Sequence, residues 1–201
     1  SFSIDGENIN LDKLGSKLPV FERRILSKGI PYEGHFYFGK YKAYIKIPEN
    51  YDKNKKYPLI VFLHGRGGNA IGNNLLTEEF ATFRKKVSER GYIIVAPGYG
   101  SNSWMNRNGE KIVLHLIEFL NKHLSIDKNR LYIMGVSMGG GGALTFAALH
   151  PEMVKGVCDI MGVTDFARFY NEGFYHESLS GAFMGSPQEN PEVYKERSSI
   201  Y

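Results

Sequence analysis

The 201-residue sequence has one cysteine, Cys158, so no internal disulfide can form. One cysteine does not separate a secreted from an intracellular protein, because secreted enzymes need not carry disulfides. No apolar run approaches the roughly 18 residues of a membrane span. No group of His, Cys and Asp has metal-ligand spacing, and no organic cofactor is implied. Internal repeats and low-complexity stretches are missing too. Charge of one sign is scarce: 25 basic and 21 acidic side chains leave a formal net charge of +4. Only Lys53, Lys55 and Lys56 cluster, in a short polar loop. Nucleic-acid binding would need a longer basic run interleaved with aromatics, and is excluded as a function class. The first residue is Ser1 rather than Met, which is compatible with an upstream leader, tag or domain.

What is present is a globular balance, 42% hydrophobic and 23% charged. The length suits one full core and is too short for two ordinary domains. Residues 1–34 are mixed and polar, with a weak amphipathic segment at 18–25, and read as an N-terminal extension on a domain spanning 35–201. From His35 to Ile47 the pattern alternates, with Tyr41, Ala43, Ile45 and Ile47 on one side and Gly39-Lys40 at a turn. That predicts an antiparallel hairpin at a sheet edge. The rhythm then changes to continuous apolar runs at 59–63, 92–96, 131–134 and 154–160. Such runs predict strands buried on both faces of a parallel sheet. Between them, Thr77–Arg90 and Lys111–His123 read as helices, the first capped by Thr77-Glu78-Glu79 and the second with Val113, Leu116, Ile117 and Leu120 in one stripe. Strand alternating with helix gives an α/β fold with a doubly wound, mostly parallel sheet and an antiparallel N-terminal hairpin.

The segment Leu131-Tyr132-Ile133-Met134-Gly135-Val136-Ser137-Met138-Gly139-Gly140 carries the chemistry. It is a G-x-S-x-G motif directly after a buried strand and directly before a helix, the context of a nucleophile elbow. A serine can attack only if its hydroxyl projects from a sharp turn, and Gly135 and Gly139 remove side chains that would collide there. The Met138 N–H opens the following helix and can stabilise an oxyanion. Four successive glycines, Gly139 to Gly142, each cost about 1 kcal/mol in a helix relative to Ala. Close approach to neighbouring strands, or room for substrate, would compensate. A phosphate-binding loop would end in Gly-Lys-Ser/Thr, which is lacking. A second oxyanion donor is expected from the loop His64-Gly65-Arg66-Gly67-Gly68 after the 59–63 strand. His64 precedes the nucleophile, the wrong order for the general base of this fold, and reads as a structural histidine tying down the loop.

These residues, with Ile126–Ile133 leading into the elbow and His150-Pro151 closing its helix, resemble α/β-hydrolase esterases. Gly162-Val163-Thr164-Asp165-Phe166, Gly185-Ser186-Pro187 and Asn190-Pro191-Glu192-Val193-Tyr194-Lys195-Glu196-Arg197-Ser198 resemble the prolyl-oligopeptidase-related branch, which holds both peptidases and acyl esterases. The resemblance covers roughly residues 40–201. It implies an α/β-hydrolase fold with Ser137 as nucleophile and the Arg66 and Met138 amides as oxyanion donors. Gly141 stands where that family has a bulky residue, so a more open pocket floor is expected. The family's acid and histidine lie beyond two further strands, so the C-terminal strands are expected to be missing from this chain.

An internal triad, Ser137 with Asp165 and His176, has the correct order but only ten residues between acid and base. His150 reads as a helix C-terminal cap. Phe166, Phe169, Tyr170, Phe174 and Tyr175 crowd a lid-like segment over 163–190, either a mini-core or an apolar wall for an acyl or aryl group. Phe166 and Phe169 are the substrate contacts expected there. Trp104 lies after the C-terminal end of a strand, where open α/β sheets bind ligands. The leading expectation is a carboxylic (acyl) esterase acting on a small-molecule ester. A peptidase of the same branch and a non-catalytic binding module are the alternatives. An open sheet edge beyond the 154–160 strand would seek the missing C-terminal fragment or a second copy.

Overall fold

The computed structural model describes residues 2–4, 7–9 and 29–201. Phe2–Ile4 (β1) and Glu7–Ile9 (β2) pair antiparallel; the amphipathic segment expected at 18–25 lies outside the described residues. The main sheet has six strands: β3 (Glu33–Phe38), β4 (Tyr41–Lys46), β5 (Tyr57–Leu63), β6 (Ile93–Pro97), β7 (Ile126–Val136) and β8 (Val154–Ile160). Their spatial order is β3-β4-β6-β5-β7-β8. β3 and β4 form the expected hairpin, turning at Gly39 with φ +62°, and β4 runs antiparallel to β6. The remaining pairs are parallel. The body of the domain reaches back before His35, since β3 opens at Glu33 and Ile30 is fully buried in the core.

Every position of β5 and β6 is buried. Leu59, Val61, Leu63, Ile93 and Val95 point into the main core with Val113, Leu116 and Leu120 of α2 (Arg107–His123) and Phe146 of α3 (Met138–Leu149). Ile60, Phe62, Ile94 and Ala96, one position out of phase, face a smaller core with Val87 of α1 (Ala81–Glu89). Strict alternation between two cores is why these strands read as unbroken apolar runs. Three short helices follow β8: α4 (Phe166–Asn171), α5 (His176–Phe183) and α6 (Pro191–Arg197).

Three expectations need correction. The helix predicted from Thr77 opens instead with a 3₁₀ turn over Glu78–Phe80, and Thr77 donates its hydroxyl to the Asn74 carbonyl rather than capping. The second helix begins four residues early, because the Asn106 side chain accepts the Gly109 N–H at 2.9 Å and so caps it. The 154–160 strand is not buried on both faces: no residue of β8 is buried, and Val157 is 42% exposed. β8 is the end strand of the sheet, and α3 covers only one of its faces. On the other face an apolar groove of about 370 Å³ lies between α1 and the β7–β8 edge, lined by Phe83, Tyr92, Tyr132, Met134 and Val157.

The C-terminal segment is fastened to the elbow helix by a buried charge network. Arg197, 2% exposed, donates to Glu110 Oε2 at 2.5 Å and to the Met105 carbonyl at 3.2 Å. His150, at the C-terminus of α3, places Nε2 2.9 Å from Glu110 Oε1, and Thr145 Oγ1 donates to the Arg197 carbonyl at 2.7 Å. Burial alone would raise the Glu110 carboxyl; the bonds and charge of Arg197, with His150 adding, prevail and hold it below the ordinary carboxylate range. Glu110 therefore stabilises the fold above the ordinary carboxylate pKa, and that contribution disappears as pH falls through its lowered folded-state value. Glu110→Gln is expected to lose about 1–2 kcal/mol in urea unfolding at neutral pH, since it leaves the buried Arg197 guanidinium with the more exposed Glu196 as its one carboxylate partner, at 2.8 Å. The gap from wild type should close as pH falls and the native carboxyl is neutralised; a gap unchanged by pH would count against this.

Candidate active site

β7 ends at Val136 and α3 starts at Met138, so Ser137 alone makes the turn between strand and helix. Its backbone has φ 55° and ψ −119°, a conformation that L-residues rarely adopt. The turn is held from both sides: the Ser137 N–H donates to the Ile160 carbonyl at 2.8 Å, and its carbonyl accepts the Gly141 N–H at 3.1 Å. Ser137 is exposed while Gly135 and Met138 through Ala143 are all buried. The hydroxyl is thus presented to solvent by a fully packed support.

The glycines of this segment are sites of close backbone approach. A Cβ on Gly135 would stand 2.8 Å from the Leu63 carbonyl oxygen, and one on Gly139 would stand 2.6 Å from that of His64. Gly140 faces the Asp159 carboxylate and Gly162. At Gly141 the space is taken by the Val163 backbone, with its oxygen 2.6 Å from where a Cβ would lie. The more open pocket floor expected at Gly141 is therefore not present; the chain, rather than a cavity, fills that position. Of the two compensations considered for the glycine run, close approach is the one observed.

The loop after β5 runs beside this turn, since a Cβ on Gly65 would stand 3.8 Å from Ser137 Cβ. Its amides are spent in a telling pattern. Gly65 N–H donates to Asn74 Oδ1 at 2.9 Å, Gly67 N–H to the Ser101 carbonyl at 2.7 Å, and Gly68 N–H to the Gly65 carbonyl at 3.1 Å. The Arg66 N–H, held between these anchors, has no acceptor among the described residues. The Met138 N–H precedes the first helical bond, Gly141 to Ser137, and is free as well. His64 is fully buried; its Nδ1 lies 2.8 Å from the Gly65 carbonyl and its ring packs on Tyr99 at 4.5 Å. Burial pushes its pKa down, outweighing the bond to Gly65, so a neutral imidazole donates Nδ1–H to that carbonyl.

Ser137 opens onto a cleft of about 380 Å³ whose walls include Trp104, Phe169, Tyr175, Met161 and Val163, with Asp165, Arg168 and Glu172 among its polar residues. Six non-glycine residues have positive φ among the described residues, and four of them, Trp104, Ser137, Met161 and Tyr175, line this one cleft. Strain of about 1–3 kcal/mol per residue persists only where surroundings over-determine it, which marks the cleft as a built site. A larger recess of about 670 Å³ lies against α1, lined by Glu33, Lys46, Arg84, Ser88 and Glu89, but none of the positive-φ residues lines it.

Of the three residues expected to meet substrate, Trp104 and Phe169 line the cleft onto which Ser137 opens. Phe166 does not: it is fully buried, 5.9 Å from the Trp104 ring and 5.4 Å from Phe183, behind the wall rather than on it. As the first residue of α4 it turns inward, while Phe169 emerges one turn later. Tyr175, named with the aromatic segment but not chosen as a substrate contact, takes its place in the wall; Gly173 two residues before it, at positive φ, lets the chain turn there. The internal triad is not assembled. Asp165 caps α4 by accepting the Arg168 N–H at 3.0 Å. His176 sits 2.6 Å from the Tyr170 carbonyl and stacks on the Tyr170 ring, facing a separate recess. All six histidines lie within the described residues, and none lines the Ser137 cleft.

A strained serine between a buried parallel strand and a glycine-packed helix, on a sheet of this order, defines an α/β-hydrolase fold. The chain belongs to the BD-FAE family, whose profile matches residues 45–201. Among curated proteins it is similar to a probable feruloyl esterase C of Aspergillus flavus, 31% identical over 122 residues, which are 59% of this chain and 45% of that protein. It is also similar to dipeptidyl-peptidase 5 of Porphyromonas gingivalis, 27% identical over 129 residues, 57% of this chain and 18% of that one. The acylaminoacyl peptidase structure from Pyrococcus horikoshii superposes with a TM-score of 0.64 at 20% identity, covering 84% of this chain and 29% of that one. The chain spans less than half the length of these curated relatives. The prolyl-oligopeptidase-related placement rests on the same set.

Because the elbow helix has no room for side chains on its inner face, Gly141→Ala is expected to destabilise the fold by about 2–3 kcal/mol. A denaturant midpoint indistinguishable from wild type would show that the helix can move away from Val163.

Proposed function

We propose that Ser137 is the nucleophile of a carboxylic ester hydrolase working through an acyl-enzyme. The observation that carries this reading is the exposed, strained Ser137 hydroxyl beside two unspent backbone amides, Arg66 and Met138. In this reading Oγ attacks the ester carbonyl carbon and loses its proton to a base. The carbonyl oxygen becomes an oxyanion, which the Arg66 and Met138 amides stabilise. The C–O bond then breaks, the alcohol leaves with that proton, and water repeats the sequence to release the acid. Trp104, Phe169 and Tyr175 form the apolar side of the acyl site. The relatives named as feruloyl esterases favour an ester over an amide and an aromatic acyl group over a small alkyl one.

In this reading the base is not one of the six histidines described here, because each is held by its own packing or hydrogen bonds and none lines the cleft; it would come from outside residues 1–201. The open edge of β8, whose residues are at most half-buried, is where further strands would add. Either the remainder of the polypeptide or a second copy would pair there. A binding module with no turnover is disfavoured, since binding alone has no use for strain at a serine.

Intact mass spectrometry before and after a fluorophosphonate probe tests the enzymatic reading: one adduct, mapped to Ser137, is expected. Aryl-ester turnover should fall by about 10³-fold or more in Ser137→Ala. An unlabelled Ser137 and no turnover would overturn the hydrolase reading; cleavage of prolyl amides alone would move it to the peptidases. For the edge, light scattering of the isolated 201-residue chain should reveal self-association, and a stable monomer would count against an edge that needs a partner.

A further inference from the structure

Arg66 has a side chain as well as an amide, and it is not idle. Its guanidinium carbon lies 4.6 Å from the centroid of the Tyr175 ring. Tyr175 is itself in an unusual state. Its backbone is left-handed at φ 51°, and Gly173 just before it is also at positive φ. On the chain side it is fastened by the Phe174 N–H to the Phe169 carbonyl at 3.2 Å, and by its own carbonyl to the Leu179 N–H at 2.9 Å. On the ring side it meets Trp104 at 5.5 Å and Phe169 at 5.9 Å. Trp104 is fully buried and is fixed in turn by its indole N–H on Ser178 Oγ at 2.7 Å. Despite these contacts 45% of Tyr175 stays exposed, and it lines the Ser137 cleft. A large aromatic held in strained backbone on several sides, with half its surface left open beside a nucleophile, is a prepared surface.

We propose that the Arg66 guanidinium positions the Tyr175 ring, and that the ring so held is the surface on which a planar aromatic acyl group packs. The pair is thus a specificity determinant for aryl over alkyl acyl esters. This rests on the ester-hydrolase reading of Ser137 and adds a selecting element to it. Cation over ring is attractive even at exposed sites, and aromatic pairs gain beyond the area they bury. A two-carbon acyl group has no ring to offer and gains nothing from the arrangement. The loop that presents an oxyanion amide therefore also steadies the acyl wall. Arg66 is a positioning residue in this role, and Tyr175 the residue that meets substrate.

The test compares 4-nitrophenyl 3-phenylpropanoate with 4-nitrophenyl acetate, which share a leaving group and differ only in acyl chain. It uses the full-length protein. Arg66→Ala keeps the backbone amide and removes the guanidinium; Tyr175→Ala removes the ring. Each should lower the phenylpropanoate-to-acetate ratio of kcat/KM by about tenfold, chiefly through KM. Arg66→Lys and Tyr175→Phe should retain most of the ratio. The double alanine variant should lower it no further than Tyr175→Ala alone, because the two residues act as one unit. Equal losses on both esters in Arg66→Ala, or additive losses in the double variant, would overturn the proposal. A readout without turnover separates it from the hydrolase reading. Trp104 is the only tryptophan among residues 1–201, so the part of the fluorescence change on adding 3-phenylpropanoate that Trp104→Phe abolishes reports binding beside Tyr175. Weaker binding in both single variants supports the proposal even if wild type hydrolyses neither ester. Unchanged binding in both would overturn it even if both esters are cleaved.

Discussion

The constraint on which the rest depends is the near-contact of the elbow helix with the backbone it packs against. Gly135 and Gly139 bring β7 and α3 against the carbonyls of Leu63 and His64 at spacings that no Cβ would permit. Those carbonyls belong to the end of β5 and the start of the loop carrying Arg66. One glycine-mediated contact therefore fixes the Met138 amide, the Ser137 turn and the Arg66 amide relative to each other. Helix propensity opposes four glycines in the first turns by several kcal/mol. The surrounding packing, with Met138, Ala143 and Phe146 fully buried, supplies the compensation.

The segment after β8 is bound to this centre from two directions. Arg197, Glu110, His150 and Thr145 form a buried polar knot linking α6, α2 and α3. Ser198 Oγ accepts the Phe166 N–H at 2.9 Å and ties the last turn back to α4. Between these anchors, α4 and α5 present Phe169 and Tyr175 to the cleft. Strain gathers in the same place: the positive-φ residues Trp104, Ser137, Met161 and Tyr175 surround one space. Rigid support and local strain are complementary, because strain survives only where the frame cannot relax.

Much of this could be read in the chain itself, where the determinants are local. The G-x-S-x-G spacing requires a tight turn wherever it follows a strand, and His64-Gly65-Arg66-Gly67-Gly68 advertises a loop that can approach closely. Apolar runs report burial on both faces for β5 and β6 because both are interior strands. The same reading failed for β8, whose run is interrupted by Lys155, Gly156 and Asp159 and which has no neighbour on one side. Phe166 and Phe169 are chemically alike, and only the rotation of α4 sends one into the core and the other to the wall. His176 and Asp165 had a plausible order, but order says nothing about which way a side chain is already bonded.

By itself the sequence determined the α/β architecture, the sharp turn at Ser137 and the glycine-rich loop that carries Arg66, because each rests on residue spacing over fewer than about fifteen positions and on backbone sterics that act locally. The tertiary structure alone decided which surfaces the cleft has. It placed Tyr175 beside Arg66, 109 residues away in the chain, filled the space at Gly141 with Val163, and left β8 as an edge. Those outcomes depend on contacts between distant segments, and such contacts are settled by how the layers pack rather than by any pattern that neighbouring residues carry.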